Sequence, residues 1–243
     1  MWRLGVSVAI AWLIFDHLAK VTGSLRGEAG VLIATVVLGT IVVLDRVVLG
    51  RPWGAALRGL GLGRPRARGV VAALGLGALL LSFFPLYARA TGARVVVDAG
   101  ALALLPGLFA QGGLAEEALF RAFLFGHLRE RHPFWRAAMS SLVPFAAVHI
   151  LLFATLPAGI AAAATLLAVV MSFPLARLYE LGGGTIWAPA LVHFVAQTAI
   201  KLVTVQPAPS VPLGLPWMAA CLVVPWLAFV PLSARRSASN ARA

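Results

Sequence analysis

The stretch GVLIATVVLGTIVVLDRVVL, residues 30–49, holds two charged side chains, Asp45 and Arg46, and both lie near its end. A helix needs about 20 apolar residues to cross roughly 30 Å of hydrocarbon, and this stretch has that length. Lipid offers the backbone no hydrogen-bond partners, so a single segment that crosses a bilayer does so as a helix. We therefore predict a transmembrane helix over these residues.

Comparable apolar stretches recur along the whole chain. Of the 243 residues, 61% are hydrophobic and 12% are charged, whereas soluble domains carry about 25% charged residues. The N-terminal run is predicted to be a helix and not a cleaved signal, because Asp16, His17 and Lys20 occupy the place of a cleavage site. The pattern predicts an all-α, polytopic transmembrane helical bundle of about eight spans, at about residues 2–19, 30–49, 70–88, 101–128, 134–153, 156–177, 185–204 and 211–232.

The basic residues are distributed unevenly between the two sides of this bundle. The net charge is +12, but the arginines lie between apolar spans, so they indicate orientation in the membrane and not nucleic-acid binding. With both termini in the cytoplasm, fourteen basic residues lie inside, many of them in a basic loop over residues 51–68, and five lie outside. Cys221 is the single cysteine, which excludes an intramolecular disulfide and a thiolate metal cluster. We predict that both termini are cytoplasmic.

Three ionisable residues, Glu116, Glu117 and Arg121, lie inside the predicted fourth span, where a charge is costly to insert. Arg121 follows Glu117 by four residues, so the two share a helical face and can pair. Glu116 points about 100° away, which leaves it free for other work, such as that of a general base. The Glu117–Arg121 pair alone could also be a structural clamp between helices.

Two histidines and a glutamine occupy two later spans. His149 ends a Phe145-x-x-x-His149 step in the fifth span, and His193 and Gln197 share a face of the seventh. A rise of about 1.5 Å per residue places Glu116, His149 and His193 roughly 20, 22 and 12 Å from the cytoplasmic boundary, so all three can meet in one layer. Either histidine alone could be a hydrogen-bonded structural residue. Together with the carboxylates, they predict a functional site.

These residues resemble, in order, the motifs of the CPBP family of intramembrane proteases. The family is also called the CAAX-protease and bacteriocin-processing, or Abi, family, and it is related to the Ras-converting endopeptidase. The resemblance covers roughly residues 100–200, whereas the first three spans match only in being hydrophobic. The E-E-x-x-x-R motif is matched by Glu116, Glu117 and Arg121, the F-x-x-x-H motif by Phe145 and His149, and the H-x-x-x-N motif by His193 with Gln197 in place of Asn.

The resemblance implies hydrolysis of a peptide bond near a membrane surface. By analogy with the family, Glu116 would be the base that activates water, Glu117 its partner and Arg121 the residue that organises the two carboxylates. His149 would be a second contact to the water. His193 would help to stabilise the oxyanion, as preorganised donors do in dry sites.

Two alternatives stay open: whether Gln197 can replace the Asn of the motif, and whether the site uses a metal. Glutamine carries the amide of Asn one methylene further out, so it could still reach an oxyanion, with looser geometry. Two Glu and two His could hold zinc together with a water, although the sequence has no H-E-x-x-H motif. We predict no cofactor and favour a metal-free mechanism over zinc, because Arg121 beside Glu117 would oppose a bound cation.

The chain divides into N-terminal spans over residues 1–99, a catalytic core over 100–204, and a final span with a basic tail over 205–243. The predicted function is an intramembrane endopeptidase of a bacterial inner (cytoplasmic) membrane that cleaves a membrane-anchored, lipidated or exported protein near its C-terminus. An Ala-, Arg- and Gly-rich composition is typical of a high-GC bacterium, which favours a sorting tail, leader peptide or regulatory membrane protein over a prenylated substrate. No nucleic-acid partner is predicted, and nothing in the sequence indicates an oligomeric state.

Two other functions remain open. The first is a non-catalytic membrane binding or bacteriocin-immunity protein of the same fold, with a structural Glu-Arg pair. The second is a proton-coupled transporter, which ranks last because the sequence shows no internal repeat. Finally, Pro106, Gly107, Gly112 and Gly113 predict a break in the fourth span that would admit water.

Overall fold

The computed structural model describes residues 2–23, 27–207 and 211–230, and most of these residues are helical. The basic tail that we predict to be cytoplasmic therefore lies outside the described residues. The α-helices, in chain order, are α1 (Trp2–Val21), α2 (Gly30–Val47), α3 (Trp53–Gly59), α4 (Ala67–Leu81), α5 (Phe83–Thr91), α6 (Ala101–Leu108), α7 (Gly126–Arg129), α8 (Phe134–Ile150), α9 (Ala158–Leu181), α10 (Trp187–Thr198) and α11 (Gly214–Val223).

Two short strands, β1 (Arg94–Val97) and β2 (Val203–Gln206), form an antiparallel ribbon with Arg94 opposite Gln206 and Val97 opposite Val203. Both strands contain valines, whose branched side chains favour extended backbone. This ribbon is a small addition to an otherwise all-α fold. It also ends the seventh predicted span earlier than residue 204, since the strand begins at Val203.

Five helical segments among the described residues are long and apolar enough to cross a membrane: Trp2–Val21, Gly30–Val47, Ala67–Thr91, Phe134–Ala154 and Ala158–Leu181. Each coincides with one of the predicted spans. The other three predicted spans are also helical: residues 101–128 contain two π-helical segments, whereas α10 and α11 are short, with 12 and 10 residues. The 12 residues of α10 have a length of about 18 Å. A multi-pass helical membrane bundle is thus confirmed, whereas the count of eight spans and the cytoplasmic termini stay predictions.

The predicted fourth span does not break at its Pro and Gly residues. α6 continues into a π-helical segment at Phe109–Ala115, and a second π-helical segment follows at Ala118–Phe125. Glu116 and Glu117, between the two, keep right-handed helical backbone angles, so the helix widens instead of breaking. We call the continuous helix of residues 101–129 the motif helix. π-helical turns are rare and concentrate at functional sites, so the widening of the helix favours a functional role for this segment.

Glycines allow α2 and the motif helix to cross at backbone contact. A Cβ atom on Gly30 would overlap the carbonyl group of Gly107, and a Cβ atom on Gly107 would overlap the carbonyl group of Gly27. In lipid the hydrophobic effect does not favour association of helices. Helices associate there largely through close van der Waals packing, which small residues permit. This crossing holds the N-terminal helices against the motif helix.

Replacing Gly107 by Ala should therefore destabilise the bundle by about 1–3 kcal/mol, because the added methyl group forces the two backbones apart. Thermal unfolding of the purified protein in detergent measures the effect. Gly75→Ala is the matched control, since a Cβ atom there would meet nothing within 4 Å. Equal stability of the two variants would contradict the backbone contact.

Three of the segments that we predict to be cytoplasmic, around residues 51–68, 129–133 and 178–184, meet at one end of the bundle, which we call the basic end. The indole of Trp187 donates to the carbonyl of Gly63 over 2.9 Å, and Arg129 pairs with Glu180 over 2.6 Å. Arg51 also pairs with Glu130 there. The β-ribbon lies beyond the far end of α10, and we call that side the ribbon end.

Candidate active site

Glu117 lies at the centre of the candidate site and has no exposed surface. Its Oε1 accepts a hydrogen bond from Nδ1 of His193 over 2.7 Å, and its Oε2 lies 3.3 Å from Nε of Arg121. The pairing of Glu117 with Arg121, predicted from their four-residue spacing, is confirmed. Glu117 therefore ties the motif helix to α10: Oε1 accepts a hydrogen bond from His193, and Oε2 faces the guanidinium of Arg121 in an ion pair that is not a hydrogen bond.

Glu116 is the more accessible of the two adjacent carboxylates, with 16% of its side chain exposed. Its Oε2 lies 3.9 Å from Nε2 of His193, which is beyond hydrogen-bond distance. Within the described part of the chain, no group donates a hydrogen bond to this carboxylate. Of the two adjacent carboxylates, that of Glu117 is thus buried and paired, whereas that of Glu116 is accessible to a small molecule.

Arg121 is a buried cation, with 2% of its side chain exposed. Its guanidinium lies 4.4 Å from the centre of the Phe145 ring, which places a cation over an aromatic face. Two of its nitrogens, Nε and Nη2, have no hydrogen-bond partner among the residues described. Because a buried charge is costly without a counterion, the position of Arg121 depends on Glu117.

His149 joins the cluster from α8. Its Nδ1 donates to the backbone carbonyl of Phe145 over 2.8 Å, which leaves the lone pair of the neutral ring on Nε2. The imidazole lies within electrostatic range of Glu116, Arg121 and His193. The structure therefore brings His149 to the same cluster, without a direct contact to either carboxylate among its hydrogen bonds and ion pairs.

Gln197 lies one turn beyond His193 on α10, and its amide packs directly on Gly112 of the motif helix. A Cβ atom on Gly112 would overlap the amide nitrogen of Gln197. Gly112 thus makes room for a side chain that is one methylene longer than the Asn of the family motif. The sequence pattern indicated Gly112 only as a helix breaker, although its position four residues before Glu116 was a signal of this contact.

Lys201 follows α10 in the 3₁₀ turn Ala199–Leu202, on the side of the ribbon end. It lies four residues after Gln197 and eight after His193, and its side chain is exposed.

Among the side chains that the structure describes, no three of the types His, Cys, Asp and Glu are placed to hold an ion. The oxygens of Glu117 already face Arg121 and His193, so this carboxylate is poorly placed to bind a cation as well.

A family model described as Type II CAAX prenyl endopeptidase Rce1-like matches residues 98–199, about two fifths of the chain. The match begins just before the motif helix, ends just after α10, and so contains all six predicted site residues. The comparisons with curated proteins and with solved structures gave no match. The resemblance drawn from the motifs is confirmed: residues 98–199 of this multi-pass membrane chain are similar to the Rce1-like CAAX prenyl endopeptidases.

Proposed function

We propose that this protein hydrolyses a peptide bond of a membrane-anchored substrate with a water molecule that Glu116 activates. The observation that carries the proposal is the asymmetry of the two carboxylates. Both oxygens of Glu117 face charged or donor groups, whereas Glu116 is partly exposed and lies outside hydrogen-bond distance of His193. A general base needs a free oxygen within reach of the proton that it removes, and Glu116 meets that condition.

His149 and the closed Glu117–Arg121 pair support the base. The Nε2 lone pair of His149 can accept a hydrogen bond from the same water, since Nδ1 is held by the carbonyl of Phe145. Glu117 and Arg121 neutralise each other and fix the turn of the motif helix that presents Glu116.

His193 and Gln197 are the proposed oxyanion donors. His193 acts as the imidazolium, with a proton on Nε2 that it takes from solvent before the substrate binds and keeps throughout the reaction; Glu117, which accepts from Nδ1 over 2.7 Å, is its counterion. Nε2 can then donate to the developing oxyanion. The amide of Gln197 supplies a second donor from the next turn of α10. Preorganised donors of this kind are worth about 2.7–4 kcal/mol each in a dry site.

The reaction follows from these roles. Glu116 removes a proton from water, and the resulting hydroxide attacks the carbonyl carbon of the substrate. The tetrahedral oxyanion is held by His193 and Gln197. Glu116 then returns its proton to the amide nitrogen as the carbon–nitrogen bond breaks, which releases a carboxylic acid and an amine and regenerates the carboxylate.

The proposed substrate is a lipidated, membrane-anchored or exported protein of a bacterial cytoplasmic membrane, cleaved near its C-terminus. The CAAX protease family supports a membrane-anchored substrate. The metal-free mechanism is supported by the guanidinium of Arg121, which already neutralises Glu117. A zinc enzyme would lose activity to a chelator and regain it with zinc, whereas we expect activity to survive chelation.

The test compares new protein termini in host membranes that contain either the wild type or Glu116→Gln at equal levels. We expect a set of cleavage sites that is present with the wild type and absent with the variant, because Gln cannot act as a base. Glu28→Gln makes the same chemical change at an exposed position outside the site and should keep the cleavage sites. Identical termini for wild type and Glu116→Gln, in a host that contains the natural partners, would favour the binding or immunity function instead.

A further inference from the structure

An apolar groove of about 290 Å³ runs along one face of α4 from the basic end of the bundle. Val71, Gly75 and Leu79 of α4 line one side of it, and Leu181 and Leu227 line the other. Val71, Leu79 and Leu227 are about half exposed, so the groove is open towards the lipid. Apart from Leu181, its lining lies outside residues 98–199, and the family match therefore assigns it no role.

The length of the groove matches the depth of one leaflet of a bilayer. The α4 residues that line it extend from Arg68 to Leu79, which is roughly 16 Å of helix at about 1.5 Å per residue. Half of a hydrocarbon core of roughly 30 Å is about 15 Å. Gly75 keeps the middle of the groove open, since a Cβ atom there would meet nothing within 4 Å. In a membrane, lipid chains fill such a space, because a void forfeits van der Waals contacts.

A cation without a counterion lies at the basic-end mouth of this groove. Arg68 is exposed, and within the described part of the chain no carboxylate pairs with it. Glu180, at the end of α9, is already held by Arg129 and Arg177. Arg66, two residues before Arg68, likewise has no acidic partner among the described residues. The mouth of the groove therefore carries uncompensated positive charge.

The chemistry of this mouth selects among the molecules that could fill the groove. Residues 231–243, which lie outside the described residues, contain three arginines and no Asp or Glu, so their side chains cannot neutralise Arg68. A zwitterionic lipid brings an ammonium group that the arginines repel. A lipid with a net negative headgroup fits both parts, since its acyl chain matches the apolar walls and its phosphate suits the guanidinium donors. Basic pockets between transmembrane helices on the cytoplasmic side bind headgroups of this kind.

We propose that this groove binds one anionic phospholipid of the leaflet at the basic end. Arg68 donates to the phosphate of the headgroup, and an acyl chain lies along α4 over Gly75. Another face of α4 packs on α10, where a Cβ atom on Gly77 would lie 3.9 Å from the side chain of Val195. A lipid held on α4 therefore stabilises the folded bundle. This site is separate from the candidate active site and does not depend on the proposed hydrolysis.

The experiment is native mass spectrometry of the full-length protein in detergent, titrated with phosphatidylglycerol or with phosphatidylcholine of the same acyl chains. Wild type should bind the first phosphatidylglycerol with a Kd roughly tenfold lower than that of phosphatidylcholine. Arg68→Gln should raise the Kd for phosphatidylglycerol to that of phosphatidylcholine. Arg94→Gln removes an exposed arginine at the ribbon end and should keep the difference. Equal Kd values for the two lipids on wild type, or an unchanged preference in Arg68→Gln, would overturn the proposal.

A second variant tests the apolar part of the site. Gly75→Leu places a side chain in the groove and should raise the Kd of both lipids, whereas its unfolding temperature in lipid-free detergent should equal that of wild type. Phosphatidylglycerol should raise the unfolding temperature of wild type and leave that of Arg68→Gln unchanged, a comparison that holds even if Gly75→Leu does not fold. Displacement of the lipid by soluble glycerol phosphate would overturn the role of the groove. So would a dimer in the same spectra that Gly75→Leu converts to a monomer while lipid binding stays the same, because a second copy would then fill the groove.

Discussion

Replacing Glu117 by Gln should lower the free energy of unfolding by about 3–5 kcal/mol, because it leaves a buried cation without its counterion. Arg121 is 2% exposed, and Glu117 is the carboxylate that contacts it among the described residues. Two nitrogens of its guanidinium already lack hydrogen-bond partners among the described residues, so Arg121 depends on Glu117 for direct contact with a negative charge. The same substitution removes the charged acceptor of His193.

Denaturant unfolding in detergent micelles measures this loss, and Glu116→Gln is the matched control. The control makes the same chemical change one residue earlier, at a carboxylate without an engaged partner, so its stability should stay within about 1 kcal/mol of wild type. The double variant Glu117→Gln/Arg121→Met should recover much of the stability, because it removes both charges together. If Glu116→Gln and Glu117→Gln are equally stable, then Glu117 is not the paired carboxylate that stabilises Arg121, and the different roles assigned to the two glutamates are wrong.

Gln197→Leu should lower kcat by about 10²–10³-fold, the usual cost of removing one oxyanion donor, while the fold is kept. Leucine is one methylene shorter than glutamine, is apolar and carries no donor. Because the lost interaction is made with the transition state, kcat and kcat/KM should fall together and KM should stay nearly constant. Stopped-flow or single-turnover cleavage of an anchored peptide measures the change.

Gly112 provides an independent check on the same amide. Gly112→Ala should also lower kcat, since the added methyl group occupies the place of the Gln197 amide. Adding Gln197→Asn should then restore much of the activity, because the shorter side chain no longer reaches the methyl group. If Gly112→Ala alone retains full activity, or if the double variant is no better than the single one, the amide does not act from this position.

The features that the sequence predicted well depend on short-range spacing or on the thickness of the bilayer. Four residues of helix place Glu117 and Arg121 on one face whatever surrounds them, and this pairing is confirmed. The five long apolar helices follow directly from the length of chain needed to cross hydrocarbon. The family resemblance was equally local, since its motifs lie within single helices.

The features that the sequence could not predict depend on contacts between distant segments. Which of Glu116 and Glu117 is buried is set by the packing of α10 against the motif helix, and two adjacent identical residues carry no signal of that choice. The ribbon pairs Val97 with Val203, more than a hundred positions apart. The widening of the motif helix and the space that Gly112 leaves for Gln197 likewise appear only once the neighbouring helix is in place.

The crossing of α2 and the motif helix at glycines has a consequence for any attempt to isolate the catalytic half. Beyond the contact of Gly30 and Gly107, Trp12 packs on Phe120 with 5.9 Å between ring centres, and Asp45 pairs with His127 over 3.0 Å. A fragment that starts at residue 98 would keep every motif, yet it would turn the Gly107 backbone and the aromatic face of Phe120 towards lipid. The shortest active fragment should therefore retain α1 and α2, although neither helix contributes a reacting group.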